Sequence, residues 1–287
     1  MGNEITVLVK QIHLQTIDNV KLSIWHYSKE NKQNTKNIFL THGTFSNKNT
    51  FKGIVEYFVK YDYTRWVLEW RNHGDSSKVQ KYYNFETIAN IDIKTTFDYL
   101  INDLDIENIH CITHSGGGIC LSIFLINFPK YKKHIQTITM FACQVFGAAN
   151  SRFNYTKILF AKYLCSIIKT IPGKLLKIGE ENEPYYLMEQ WFNWNLNKNF
   201  TGKNGTYYLQ KIIEIEIPIL SICAESDKFI APKQGCYQFL KSFKNNENKF
   251  VVCSKENGFK EDYSHSRIIL SRNASKEVWQ ICRDWII

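Results

Sequence analysis

Val7, Val9, Ile12 and Leu14 alternate with polar neighbours up to Ile17, Asp18-Asn19 interrupts the pattern, and alternation resumes from Val20 to Tyr27. A period of two on either side of a polar pair predicts a β-hairpin. A polar loop, Asn31 to Asn37, then leads into the short apolar run Ile38-Phe39-Leu40, which ends in Thr41-His42-Gly43. Asn49-Thr50 opens a helix through Tyr61, and Arg65 to Trp70 reads as the next strand. Ile88, Ile91, Thr95 and Tyr99 recur at helical spacing within Phe85 to Leu104. Further strands are predicted at Ile109–Thr113, Ile135–Cys143, Pro218–Ala224 and Lys249–Cys253, with a closing helix over Ser275–Ile287.

Strands that alternate with helices predict an α/β fold: a mostly parallel central sheet with helices on both faces. In such a sheet the ligand site lies beyond the carboxyl ends of the strands. The stretch from about Gly147 to Tyr208 breaks the alternation with two helical patterns, Tyr155 to Ile168 and Tyr185 to Trp194. It is too long for a simple crossover. The expected organisation is a core of residues 1–146 and 209–287 with an inserted helical cap, or lid, at 147–208. The cap is rich in large aromatics, Phe153, Phe160, Tyr163, Tyr185, Tyr186, Trp191, Phe192 and Trp194. Most are expected to pack the cap against the body, and some to line an apolar acyl or alcohol pocket.

Composition narrows the classes. The chain has 287 residues, 44% of them hydrophobic, and a net charge of +9, so one large domain with an insertion is expected. The charge raises anionic membranes or nucleic acid as partners, but lysines are spread along the chain and no arginine-rich run occurs. The densest cluster, Lys130-Tyr131-Lys132-Lys133-His134, reads as a solvated loop, and no nucleic-acid partner is expected. Weak membrane-surface association stays open, and oligomeric state is not legible. The eight cysteines include no C-x-x-C pair and read as buried reduced thiols, which fits a cytoplasmic protein. Met1-Gly2-Asn3-Glu4 lacks the layout of a signal peptide. Gly2 with Thr6 is a poor myristoylation signal. No run of about 18 apolar residues predicts a membrane span.

The chemistry concentrates in Thr113-His114-Ser115-Gly116-Gly117-Gly118, between the apolar run Ile109-His110-Cys111-Ile112 and the run Ile119 to Leu125. A serine at the apex of a strand–turn–helix, ringed by glycines, reads as a nucleophile elbow. The same string also fits a helix start that only packs or that cradles a phosphate, but no Lys-Ser/Thr follows for a phosphate loop. The histidines and cysteines lack metal-ligand spacing. Neither a metal nor another cofactor is expected.

Over nearly its full length the chain resembles the α/β-hydrolase superfamily of serine esterases, lipases and thioesterases. Four pieces carry the resemblance in order: His42-Gly43 after an apolar strand, the segment Trp70-Arg71-Asn72-His73-Gly74-Asp75-Ser76 (similar to a D-x-R-G-H-G-x-S loop), the elbow, and an Asp then a His after late strands. The resemblance implies Ser115 as nucleophile, His265 as base and Asp227 as the carboxylate that orients it. Glu225 and Asp262 are the rival carboxylates. It implies an oxyanion hole from the backbone N–H of Gly116 and of Thr44, with Phe45 left open as the second donor. His42 and Gly43 would brace the site. Two positions depart from the pattern: Thr113 and Ala224 stand where glycine is usual. The implied activity is hydrolysis of a carboxylic ester, a small-molecule or lipid-like substrate, through an acyl-enzyme. A thioesterase or acyltransferase would use the same residues, and a noncatalytic small-molecule binder remains the alternative from another class.

Overall fold

The computed structural model describes residues 7–29 and 36–287. Residues 1–6, which carry the leader and myristoylation expectations, and residues 31–35 of the polar loop lie outside the described residues. The strands are β1 (Val7–Gln15), β2 (Lys21–Lys29), β3 (Asn37–Thr41), β4 (Thr64–Glu69), β5 (Ile109–His114), β6 (Ile135–Phe141), the two-residue β7 (Thr170–Ile171) and β8 (Glu183–Pro184), β9 (Ile219–Ala224) and β10 (Lys249–Cys253). Eight of them form one sheet in the order β1-β2-β4-β3-β5-β6-β9-β10. Strand β2 runs antiparallel to β1 and β4, and from β4 to β10 every neighbour pair is parallel. The six parallel strands therefore end along one edge.

Alternation along the central strands builds two cores, one per face. Phe39, Trp66, Leu68 and Cys111 point into one, and Ile38, Leu40, Val67 and Ile112 into the other. Helices α1 (Lys52–Phe58) and α10 (Ala274–Ile286) cover the second face through Ile54, Phe58, Val278 and Cys282. The first face is covered by α4 (Gly116–Asn127) and by a continuous helical run at 85–103. That run is α-helical at Phe85–Thr87 and Lys94–Asp98 but π-helical at Ile88–Ile93 and Tyr99–Asp103. Hydrophobic spacing predicts a helix there but does not register such wide turns.

Between β6 and β9 lie α5 (Arg152–Ile168), the β7–β8 pair and α6 (Tyr185–Asn197). Trp191, Phe192 and Trp194 of α6 are buried, and Tyr185 and Tyr186 are partly so, as the packing expectation requires. Helix α5 departs from it: Ile158 is its one buried residue, while Phe153, Phe160 and Tyr163 stand exposed. Two smaller corrections concern local structure. Lys130 to His134 belongs to a 3-10 helix, Pro129–His134, pinned by the buried Tyr131, and not to a loop. A further helix, Lys233–Ser242, follows β9 where the pattern predicted none. The eight cysteines are unpaired, seven buried and Cys165 half-buried. No helix among the described residues is long and apolar enough to cross a membrane.

Candidate active site

Strand β5 ends at His114, and its neighbours β3 and β6 flank the point where the chain turns into α4. Ser115 sits at that turn with φ 52° and ψ −124°, a backbone conformation an L-residue adopts only where its surroundings enforce it. Its N–H donates to Phe141 O at 2.9 Å, and its own carbonyl accepts from Gly118 N at 3.1 Å. The turn tolerates no bulk on the β3 side: a Cβ on Gly43 would stand 2.6 Å from Ser115 Cβ and 2.9 Å from Gly116 N.

The threonine at 113 has a structural explanation. It is fully buried, and its hydroxyl lies 3.3 Å from Thr139 O. A Cβ on Gly118 would come within 3.1 Å of that hydroxyl and 2.7 Å of Cys143 Sγ. The third glycine of the motif thus leaves the room that the threonine takes up.

His265 follows β10, and its Nδ1 lies 2.5 Å from Asp227 Oδ2. Asp227 follows β9 and is buried. Burial pushes its carboxyl up, but hydrogen bonds from His265, Ala231 N (3.0 Å) and Ile230 N (2.9 Å) outweigh that and hold it below the usual carboxylate range. The rival carboxylates are engaged elsewhere. Glu225 pairs with Lys228 and Lys233, and Asp262 accepts from Lys255 N. Ser115 and His265 face one cavity of about 360 Å³, lined by apolar side chains that include Ile119, Met188, Trp191 and Phe229. The Ser115 hydroxyl has no hydrogen-bond partner among the described residues.

His114 was not singled out from the sequence. Its Nε2 lies 3.0 Å from the His265 carbonyl oxygen, and the two rings are 4.8 Å apart. A carbonyl only accepts, so Nε2 carries the proton. Burial pushes the His114 imidazole down to about 3, so the ring is neutral and its Nδ1, buried without a partner, is unprotonated. The residue before the elbow serine thereby ties the His265 loop to the end of β5.

The loop after β3 is held from two directions. His42 Nε2 accepts from Trp70 N at 3.2 Å, which leaves Nδ1 to donate to Gly43 O at 2.8 Å. That assignment is a neutral ring, and burial indeed pushes His42 well below its ordinary value. From the other side, Phe45 N donates to Glu183 Oε1 at 2.8 Å, and Phe45 O accepts from Glu180 N and Glu181 N. Glu183 Oε1 also lies 2.9 Å from His73 Nε2, and both side chains are fully buried. Burial works against charge on His73, but Glu183 and the Arg71 carbonyl on Nδ1 outweigh it and raise the imidazole above its ordinary value. Glu181 accepts from Gly74 N and Asn47 Nδ2, both at 2.9 Å. The Phe45 N–H is therefore occupied. The Thr44 N–H has no partner among the described residues and lies beside Gly116, 3.5 Å from where a Cβ there would stand.

The loop at 70–76 is anchored by Arg71. It is buried and donates through Nε and Nη2 to Asp92 Oδ1 at 2.9 and 2.7 Å, and through Nη1 to Asp18. Asp92 lies in the first π-helical turn, so the wide turn delivers the carboxylate to the arginine. Among the described residues no group of three or more His, Cys, Asp or Glu side chains could hold a metal ion.

A family model described as the alpha/beta hydrolase fold matches residues 36–143, the segment from β3 through the elbow to the end of β6. The protein has the α/β-hydrolase fold. Solved structures of this fold match nearly end to end. The esterase Pf2001 of Pyrococcus furiosus is 18% identical over 98% of this chain and 93% of its own, with a TM-score of 0.60. An esterase of Exiguobacterium antarcticum is 14% identical over 96% and 99%, with a TM-score of 0.65. DcsB, solved with its substrate analogue, is 15% identical over 97% and 98%, with a TM-score of 0.69. No curated protein sequence gives a significant match. Within an α/β-hydrolase fold the strand-end edge that carries Ser115, Asp227 and His265 is where ligands bind.

Proposed function

We propose that the protein is a serine hydrolase that cleaves carboxylic esters with an apolar acyl or alcohol part. One observation carries the reading: Ser115, in a strained turn, shares an apolar cavity with an imidazole whose far nitrogen is held by a buried carboxylate. The esterases among the fold's solved members point the same way.

Asp227 would fix His265 with its proton on Nδ1, leaving Nε2 free to accept. On substrate binding His265 Nε2 takes the Ser115 proton as Oγ attacks the ester carbonyl. The resulting oxyanion is held by the N–H groups of Gly116 and Thr44. His265 then returns the proton to the departing alcohol. Water, activated by the same imidazole, releases the acid and restores the serine. Residues 147–208, which supply Met188, Trp191 and Phe192 to the cavity, would act as the cap over a core of residues 1–146 and 209–287. An apolar wall favours an acyl chain or a lipid-like alcohol over a charged group.

A fluorophosphonate is expected to label the wild-type protein and not Ser115→Ala. p-Nitrophenyl esters of graded chain length should turn over faster than the matching acyl-CoA thioesters. Labelling without turnover of any ester would leave a binder, and a preference for thioesters would make the enzyme a thioesterase. His114→Phe removes the donor to the His265 carbonyl. It should lower kcat about five- to tenfold, the worth of one hydrogen bond. His114→Gln, which keeps an N–H donor, should recover most of the loss.

A further inference from the structure

Helix α5 and the turn after it present apolar side chains to solvent on a scale that packing does not explain. Phe160 is 68% exposed, Tyr163 67%, Ile167 61% and Leu175 80%. Phe153, Phe160, Tyr163 and Ile167 recur at three-, four- and seven-residue steps, so they share one face of the helix. Scattered exposed leucines are ordinary, but a contiguous apolar face is not.

Charge says what covers it. From Arg152 to Gly179 the chain holds six cationic residues and no carboxylate. Arg152, Lys157, Lys169, Lys174 and Lys177 are exposed, and none of the six forms an ion pair among the described residues. The nearest acid along the chain, Glu180, is engaged by Asn49 Nδ2 of the segment after β3. A second copy docked face to face would set cation against cation. A sheet of anionic headgroups over acyl chains complements both features at once.

The face is also continuous with the cavity. Leu164, Leu176 and Ile178 line it while remaining 42%, 54% and 49% exposed. We propose that α5 and the turn at 172–179 dock on an anionic phospholipid surface, and that an apolar ester enters the cavity from that side. The second clause rests on the ester-hydrolase reading, and the first does not.

The docking is tested on Ser115→Ala, by co-sedimentation with vesicles of phosphatidylcholine and of an equal mixture of phosphatidylcholine and phosphatidylglycerol. Binding to the mixture, loosened by salt, is expected. Lys174→Gln with Lys177→Gln should weaken it about 30-fold, at about fivefold per cation near such a surface. Phe160→Ser, Ile167→Ser and Leu175→Ser together should abolish it while keeping the circular-dichroism spectrum. None of those three lines the cavity, so in the Ser115-containing protein they should leave fluorophosphonate labelling intact. Equal or absent binding to the two vesicles overturns the proposal. So does a dimer, or a complex with an acidic protein, that the triple variant dissolves when no vesicle is bound. Vesicle binding without serine labelling would sink the hydrolase reading alone, and labelling without vesicle binding would sink the docking alone.

Discussion

Ser115→Ala is expected to lower kcat for a short ester by about 10⁶-fold, and Asp227→Asn by about 10⁴-fold. The double variant should be no worse than Ser115→Ala, because in the proposed mechanism the three side chains act as one unit. The loss at Asp227 follows from its hydrogen bonds. Oδ2 accepts from His265 Nδ1 and Ala231 N, and Oδ1 from Ile230 N. An asparagine has one acceptor oxygen. Placed toward His265, it sets its amide hydrogens against Ile230 N–H. Turned the other way, it donates to Nδ1, puts the proton on Nε2 and blocks the transfer from Ser115. Either orientation removes the negative charge that would stabilise the imidazolium in the proposed mechanism. Single-turnover measurements with a p-nitrophenyl ester would read both losses, and an Asp227→Asn enzyme within tenfold of wild type would remove this carboxylate from the mechanism.

The same carboxylate has a consequence for stability. Its folded value lies below its unfolded one. Its contribution is therefore fully present above the ordinary carboxylate pKa of about 3.9 and is lost as pH falls through the lower folded value.

Features set by local chemistry were legible in the chain. The central strands followed from short apolar runs such as Ile38-Phe39-Leu40, whose residues divide between the two cores. The turn at Ser115 followed from three glycines placed between an apolar strand and an apolar helix. Asp227 and His265 were implied by the family resemblance, which expects an Asp then a His after late strands, and the structure places their side chains in contact. Other features depend on distant partners and leave no local mark. Asp92 reaches Arg71 because a π-turn shifts it, which hydrophobic spacing does not register. Thr113 breaks the expected glycine pattern, but its room comes from Gly118 five residues on. Most of the cap aromatics were expected to pack, and those of α6 do while Phe153, Phe160 and Tyr163 of α5 do not; composition cannot distinguish a buried aromatic face from one turned to solvent. Glu183 sits in a two-residue strand more than a hundred residues from both Phe45 and His73.

Glu183 is where the largest stability effect is expected. Its carboxylate joins the 147–208 insertion to the loop after β3 and to buried His73. Glu183→Ala would leave the Phe45 N–H and His73 Nε2 buried without a partner, so a loss of about 3–5 kcal/mol is expected. For a domain of this size that corresponds to a Tm lower by roughly 6–20 °C. His73→Gln should cost less on its own. The double variant should cost less than the sum, because each single change already breaks the same pair. The pH dependence separates this pair from the one at Asp227. His73 has a folded value above its unfolded one, so the pair's stabilisation is fully present below about pH 6.5 and declines as pH rises through the raised value. The gap between wild type and Glu183→Ala in urea unfolding should therefore narrow toward alkaline pH; a gap that stays constant through that range would mean the pair is held without charge on His73. A separate loss is expected in kcat. The Glu183–Phe45 bond fixes the peptide next to Thr44, and a loop free to move its N–H by an ångström would forfeit much of one proposed oxyanion donor. That loss is about 10²-fold or more when a donor is removed outright. Glu183→Gln keeps an acceptor for Phe45 N–H but not the charge for His73. It should retain most of kcat while losing much of the stability, so these two roles of a single side chain can be read apart.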